Sequence, residues 1–65
     1  MELIVNGEQR VLEAATIHDV IRHFGLEGKP VAVEADGEVV PKGDWPVTPV
    51  HAGMRIELVH FVGGG

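Results

Sequence analysis

The chain has 65 residues, 45% of them hydrophobic, enough to build one packed core and no second module. Ten acidic residues against five basic ones give a formal net charge of -5, which repels a phosphate backbone and argues against nucleic acid as a partner. With no cysteine there is no disulfide, no thiolate metal site and no thiol nucleophile, so any sulfur chemistry has to come from another protein.

Glu2-Leu3-Ile4-Val5 is short, apolar and β-branched, which predicts a strand. The Asn6-Gly7 that follows tolerates positive φ and predicts a tight hairpin turn into a returning strand from Gln9 to Glu13. Because the chain opens on this run instead of a basic segment followed by an apolar stretch, and has no apolar run of bilayer length, a cytoplasmic protein with no membrane partner is expected. Thr16-Ile17-His18-Asp19 predicts a helix start: the Thr16 hydroxyl can accept from a free backbone N–H, and Asp19 favours the positive end of the helix dipole. Ile17, Val20, Ile21 and Phe24 recur at helical spacing and make one apolar stripe, and Gly25 predicts a left-handed stop after Phe24.

After Pro30, Val31 to Ala35 predicts a strand, Asp36-Gly37 a second hairpin turn, and Glu38-Val39-Val40 a short strand that Pro41 keeps from a central position. Residues 42 to 50 hold Pro46 and Pro49 without clear periodicity, predicting an irregular connection with Trp45 as its anchor. Ala52-Gly53 predicts a turn, and Met54 to Val62 the longest strand. The order is strand, strand, helix, strand, short strand, strand, a compact α+β domain in which one amphipathic helix can cover one face of one sheet.

In the last strand Ile56 and Leu58 share one face and Arg55 and Glu57 the other, so continued alternation puts Val59 and Phe61 on the outward, charged face. A twisting sheet with a covering loop is the bland explanation; a partner-docking patch is the sharper one, since it lies immediately before the tail. Gly63-Gly64-Gly65 is the strongest single feature. Three consecutive glycines at a fixed place arise by chance at on the order of one in a few thousand, and the bland alternative is a frayed end. Without Cβ atoms such a tail can enter a narrow channel, and the unhindered Gly65 carboxylate can attack the α-phosphorus of a nucleotide to form an acyl-adenylate. The histidines at 18, 23, 51 and 60 lack the spacing of a helical metal pair, and there is no HExxH, Ser/His/Asp order or phosphate-cradling GxxxxGK. No metal site and no catalytic residues of its own are therefore expected. Glu2, Glu8, Glu27, Glu34 and Asp36 read as a solvated surface that can also steer the domain toward a basic groove.

With these elements in place the chain resembles the ThiS-type sulfur carriers of thiamine biosynthesis. The resemblance covers essentially all of the sequence: the opening strand with Asn6, Thr16-Ile17-His18-Asp19, the run from Val31-Ala32-Val33 through Val39-Val40-Pro41 to Trp45, and the ending Ile56-Glu57-Leu58-Val59-His60-Phe61-Val62-Gly63-Gly64-Gly65. It implies a β-grasp (ubiquitin-like) fold, with a mixed sheet of four to five strands covered on one face by one main helix. The domain would span 1–62 and a flexible glycine tail 63–65. It further implies a carrier, not an enzyme, with no bound cofactor. An E1-like adenylating enzyme would use ATP and magnesium to activate Gly65, and sulfur from a donor such as a cysteine desulfurase, passed on as a persulfide, would make a thiocarboxylate. Thiazole synthase would then take that sulfur. Gly65 is the implied site of modification, Gly63 and Gly64 the tail, and Val59, Phe61 and Val62 the docking residues. Gly63 departs from the pattern of many relatives, and only lengthens the tail. The alternatives left open are the small subunit of molybdopterin synthase, a ubiquitin-like protein modifier joined to lysines through Gly65, and a plain interaction domain.

Overall fold

The computed structural model describes residues 1–61. Val62, Gly63, Gly64 and Gly65 lie outside the described residues, and with them the boundary expected after Val62. Five strands, β1 (Glu2–Val5), β2 (Glu8–Val11), β3 (Val31–Ala35), β4 (Glu38–Val39) and β5 (Arg55–His60), form one mixed sheet in the order β2-β1-β5-β3-β4, with a single α-helix, α1 (Ile17–His23). The hairpins close as the dipeptides predict: Asn6 and Gly7, at φ 50 and 79, join Val5 to Glu8, and Asp36 and Gly37, at φ 50 and 86, join Ala35 to Glu38. The central pair, β1 with β5, is parallel, and β5 runs antiparallel to β3 along the whole of that strand.

Both ends of α1 are fixed by local chemistry. Asp19 N–H donates to Thr16 Oγ1 at 3.4 Å while Asp19 Oδ2 accepts from the backbone N–H of Thr16 and Ala15, a capping box. The Ala15 N–H, the Arg22 guanidinium and the Thr16 N–H hold the Asp19 carboxyl down to about 2. At the other end Gly25 sits at φ 69, its N–H donating to Arg22 O and that of Leu26 to Ile21 O, both at 3.0 Å, the paired bonds of a Schellman stop. A helix this short is not stable alone. It is held by Ile17, Val20 and Ile21, all fully buried against Leu3, Val5, Val33 and Ile56 of the sheet; each such side chain contributes about 1.5 to 3 kcal/mol. Phe24, at the end of the stripe, is half-buried.

Four elements differ from expectation. Strand β5 spans Arg55–His60, not Met54 to Val62, because Met54 N–H is taken by His51 O at 3.0 Å in the preceding turn; Val62 lies outside the described residues. Strand β2 spans Glu8–Val11, not Gln9 to Glu13: its ladder runs out where Val11 faces Glu2, the first residue of β1. The buried Leu12 only exchanges closing bonds with Met1, its N–H donating to Met1 O at 2.9 Å and Met1 N donating to Leu12 O at 2.7 Å. Strand β4 stops at Val39, although Val40 N–H still donates to Val33 O at 2.9 Å before Pro41 ends the pairing. The connection expected to be irregular contains a 3₁₀ helix, Lys42–Val47, started by Pro41 at φ -60 and an Asp44 N–H to Pro41 O bond of 2.8 Å. Trp45 anchors it as expected, buried with its indole Nε1–H donating to Val40 O at 3.0 Å. No helix among the described residues is long and apolar enough to cross a membrane.

Candidate functional site

The expected docking residues Val59 and Phe61 lie at the end of β5, and the pairing of that strand fixes where they sit. Along β3 the ladder pairs Ala35 with Ile56 through Val31 with His60, and one further bond, Phe61 N–H to Pro30 O at 3.0 Å, extends it by a residue. On the other side β1 accompanies β5 only at Ile4 with Arg55 and Val5 with Ile56. Where β1 turns away, Asn6 takes over. Its N–H donates to Ile56 O at 2.9 Å, and its side-chain Oδ1 accepts from Leu58 N–H at 2.7 Å. The Asn-Gly turn thus secures the middle of β5 as well as reversing the chain, and beyond Leu58 the strand is paired with β3 alone among the described residues.

The structure places Val59 and Phe61 at the surface, 53% and 55% exposed, as the alternation of β5 predicts. Ile56 is buried and Leu58 half-buried on the inner face beneath the helix. Val39, 73% exposed on β4, adds an apolar residue that sequence alternation did not associate with β5. Its register partner is Glu34, two residues along β3 from Ala32, which itself faces Val59. Of the other expected site residues, Val62, Gly63, Gly64 and Gly65 lie outside the described residues. On the helix side, a cleft of about 300 Å³ beside the end of β5 is lined by residues including Arg10, Phe24, Leu26, Leu58 and His60. The Arg10 guanidinium lies 5.8 Å from the centre of the Phe24 ring and covers part of its apolar surface.

The histidines fall into separate environments. His18 Nε2 meets Glu27 Oε2 at 2.8 Å, and His60 is exposed at the end of β5. His51 contacts the Ala52 carbonyl through Nδ1 and Asp36 Oδ2 through Nε2, each at 3.1 Å. Both partners are acceptors, so the doubly protonated ring satisfies both contacts, and its pKa is raised by the Ala52 carbonyl first and by Asp36 second. Asp36 in turn accepts from Arg55 N–H at 2.9 Å through Oδ1; that bond, followed by the one from His51, lowers its pKa. The described residues contain no group of three or more His, Cys, Asp or Glu arranged to hold a metal ion.

Comparison with known proteins bears on the whole of this frame. The sequence model described as the ThiS family matches residues 3–65. The sulfur carrier protein ThiS of Thermus thermophilus is 36% identical over 61 residues, covering 94% of this chain and 95% of that protein. A thiazole synthase from Paramagnetospirillum magneticum is 38% identical over 66 residues, and there the match takes in 100% of this chain but only 20% of the relative's length. Among solved structures, a thiamine biosynthesis protein (ThiS) from Geobacter metallireducens superposes with a TM-score of 0.81 at 29% identity, covering 100% of each chain. A five-stranded mixed sheet under one helix, with its last strand leading to Gly65, and matches of this extent have one common account: the chain belongs to the ThiS family.

Proposed function

We propose that the chain is a sulfur carrier of thiamine biosynthesis that holds its cargo on the main-chain carboxylate of Gly65. An adenylating partner uses magnesium and ATP: a Gly65 carboxylate oxygen attacks the α-phosphorus, pyrophosphate leaves, and the acyl-adenylate makes the carbonyl carbon electrophilic. A persulfide sulfur from a donor such as a cysteine desulfurase then displaces AMP. Cleavage of the resulting S–S bond by a thiol leaves the thiocarboxylate, and thiazole synthase takes that sulfur for the thiazole ring. The thiols belong to the partners, since this chain has no cysteine. Its own contribution is to present an uncrowded carboxylate, since glycine places no Cβ beside the reacting carbonyl, and to offer a docking surface at Val59, Phe61 and Val62. It binds no cofactor and is the substrate of its partners, not an enzyme.

The observation that carries this reading is the near end-to-end match with a sulfur carrier of the family, extending through Gly65 in the family's own sequence model. The stretch of a thiazole synthase that resembles this chain supports thiazole synthase as the acceptor. The test is direct: the chain, incubated with its adenylating enzyme and magnesium ATP, should release pyrophosphate. A chain lacking Gly64 and Gly65 should release none while keeping its thermal midpoint. Absence of pyrophosphate from the intact chain overturns the proposal.

A further inference from the structure

The strands that bury Val33, Ala35 and Ile56 beneath the helix turn their alternate residues to the opposite face, where Ala32, Glu34, Val39, Glu57 and Val59 are all exposed. The register sets Glu34 directly opposite Glu57 on β5 and opposite Val39 on β4, and Ala32 opposite Val59. Like charges directly across a strand pair weaken a sheet. Among the described residues neither carboxylate forms an ion pair; the acidic partners that do are Glu8, Glu27, Asp19 and Asp36. Between the two glutamates lies a dimple of about 70 Å³ lined by Ala32, Val33, Glu34, Val39, Glu57 and Val59. The face thus sets two facing carboxylates against an apolar border, on a molecule whose net charge is -5. Arg55, exposed on the same face two residues from Glu57, forms no ion pair with either among the described residues.

From this we infer that the open face docks a protein surface presenting one arginine, whose guanidinium donates to both Glu34 and Glu57 while its alkyl stem lies on Val39 and Val59. The chemistry selects arginine over lysine. A planar fork with five N–H donors can serve two carboxylates at once, where an ammonium offers a point charge. A stem of methylenes covers apolar surface as the head pairs. The inference rests on the carrier proposal for the identity of the partner, the adenylating enzyme: Phe61 adjoins this face, so a protein that receives Gly65 has the face within its reach.

The test replaces both carboxylates, E34Q/E57Q, and measures pyrophosphate release with the adenylating enzyme together with direct binding and thermal unfolding. The expected result is a rise in KM for the carrier of about tenfold or more at low ionic strength, with kcat within about twofold of wild type. The difference shrinks at high salt. The thermal midpoint stays equal or rises, because the repulsion across the strands is gone. In double-mutant cycles one arginine-to-alanine variant of the enzyme should couple to E34Q/E57Q. Unchanged KM and affinity overturn the inference, as does a lowered thermal midpoint that accounts for the weaker binding, or additivity for every arginine tested. Dimerisation through this face by the chain alone assigns it to a second copy and also overturns it. A wild-type chain that releases no pyrophosphate overturns the carrier proposal instead. Binding then decides the sheet face by itself, and equal affinity of wild type and variant, or none in either, rejects it.

Discussion

The two faces of the sheet come from the same strands and meet opposite surroundings. Beneath the helix, Leu3, Val33 and Ile56 meet Ile17, Val20 and Ile21 with almost no surface left to solvent. On the other side the neighbouring positions carry Glu34, Glu57, Val59 and, on β4, Val39 in the open. Strand alternation lets one segment hold the fold with one set of residues and leave the next set open, on the reading proposed above, to partners. Stability and the proposed docking should therefore be separable by single substitutions one residue apart.

Changes on the inner face should break the molecule. Ile56→Ala removes a fully buried side chain at the centre of the sheet, and the expected loss is about 2 to 5 kcal/mol of unfolding free energy in a urea titration. A loss well below that range would mean that the core collapses around the vacancy. Phe61→Ala sharpens the contrast from the outside. Unfolding free energy should move by less than about 0.5 kcal/mol, whereas binding to the adenylating enzyme should weaken by about 1 to 3 kcal/mol; a calorimetric titration with unchanged affinity removes Phe61 from the docking surface. At the helix end of the inner layer, Thr16→Ala should cost about 1 kcal/mol in the same urea assay, because the hydroxyl that accepts from Asp19 N–H is lost.

The smallest expected effect is one of pH. His51 has a raised pKa in the folded chain, so its contribution to stability is complete below the ordinary value of 6.5 and is lost as pH rises through the folded value. Denaturation midpoints should fall slightly across that window in wild type, and the part of the fall due to His51 should vanish in His51→Gln. The same slope in both proteins would show that the imidazolium contact with Asp36 and Ala52 does nothing for stability.

How much of this was legible in the sequence follows from the range of each interaction. The ends of α1 are set by Thr16, Asp19 and Gly25, all acting within a few residues, and the hairpins by Asn6-Gly7 and Asp36-Gly37, so composition and spacing suffice. The exposure of Val59 and Phe61 follows from period two along one strand. The 3₁₀ helix at Lys42–Val47 escaped because Pro46 and Pro49 suggest interruption, and its tight turns leave no long periodicity to count. The facing of Glu34 and Glu57 and the reach of Asn6 to Leu58, 52 residues away in sequence, depend on strand register, which local spacing does not specify. The candidate site was thus visible as a strand end and a glycine tail, while the companions of β5 on the open face were not.

The central position of β5 has a mechanical consequence. A protein that draws the terminus into its own pocket pulls along the axis of that strand, parallel to β1 and antiparallel to β3. Such a load shears the cross-strand bonds from Pro30 to Ala35 together instead of peeling them one at a time, and the Asn6 carboxamide adds a rivet at Leu58. The domain is therefore expected to withstand being tugged by its end and, if it carries cargo as proposed, to be returned intact for another cycle.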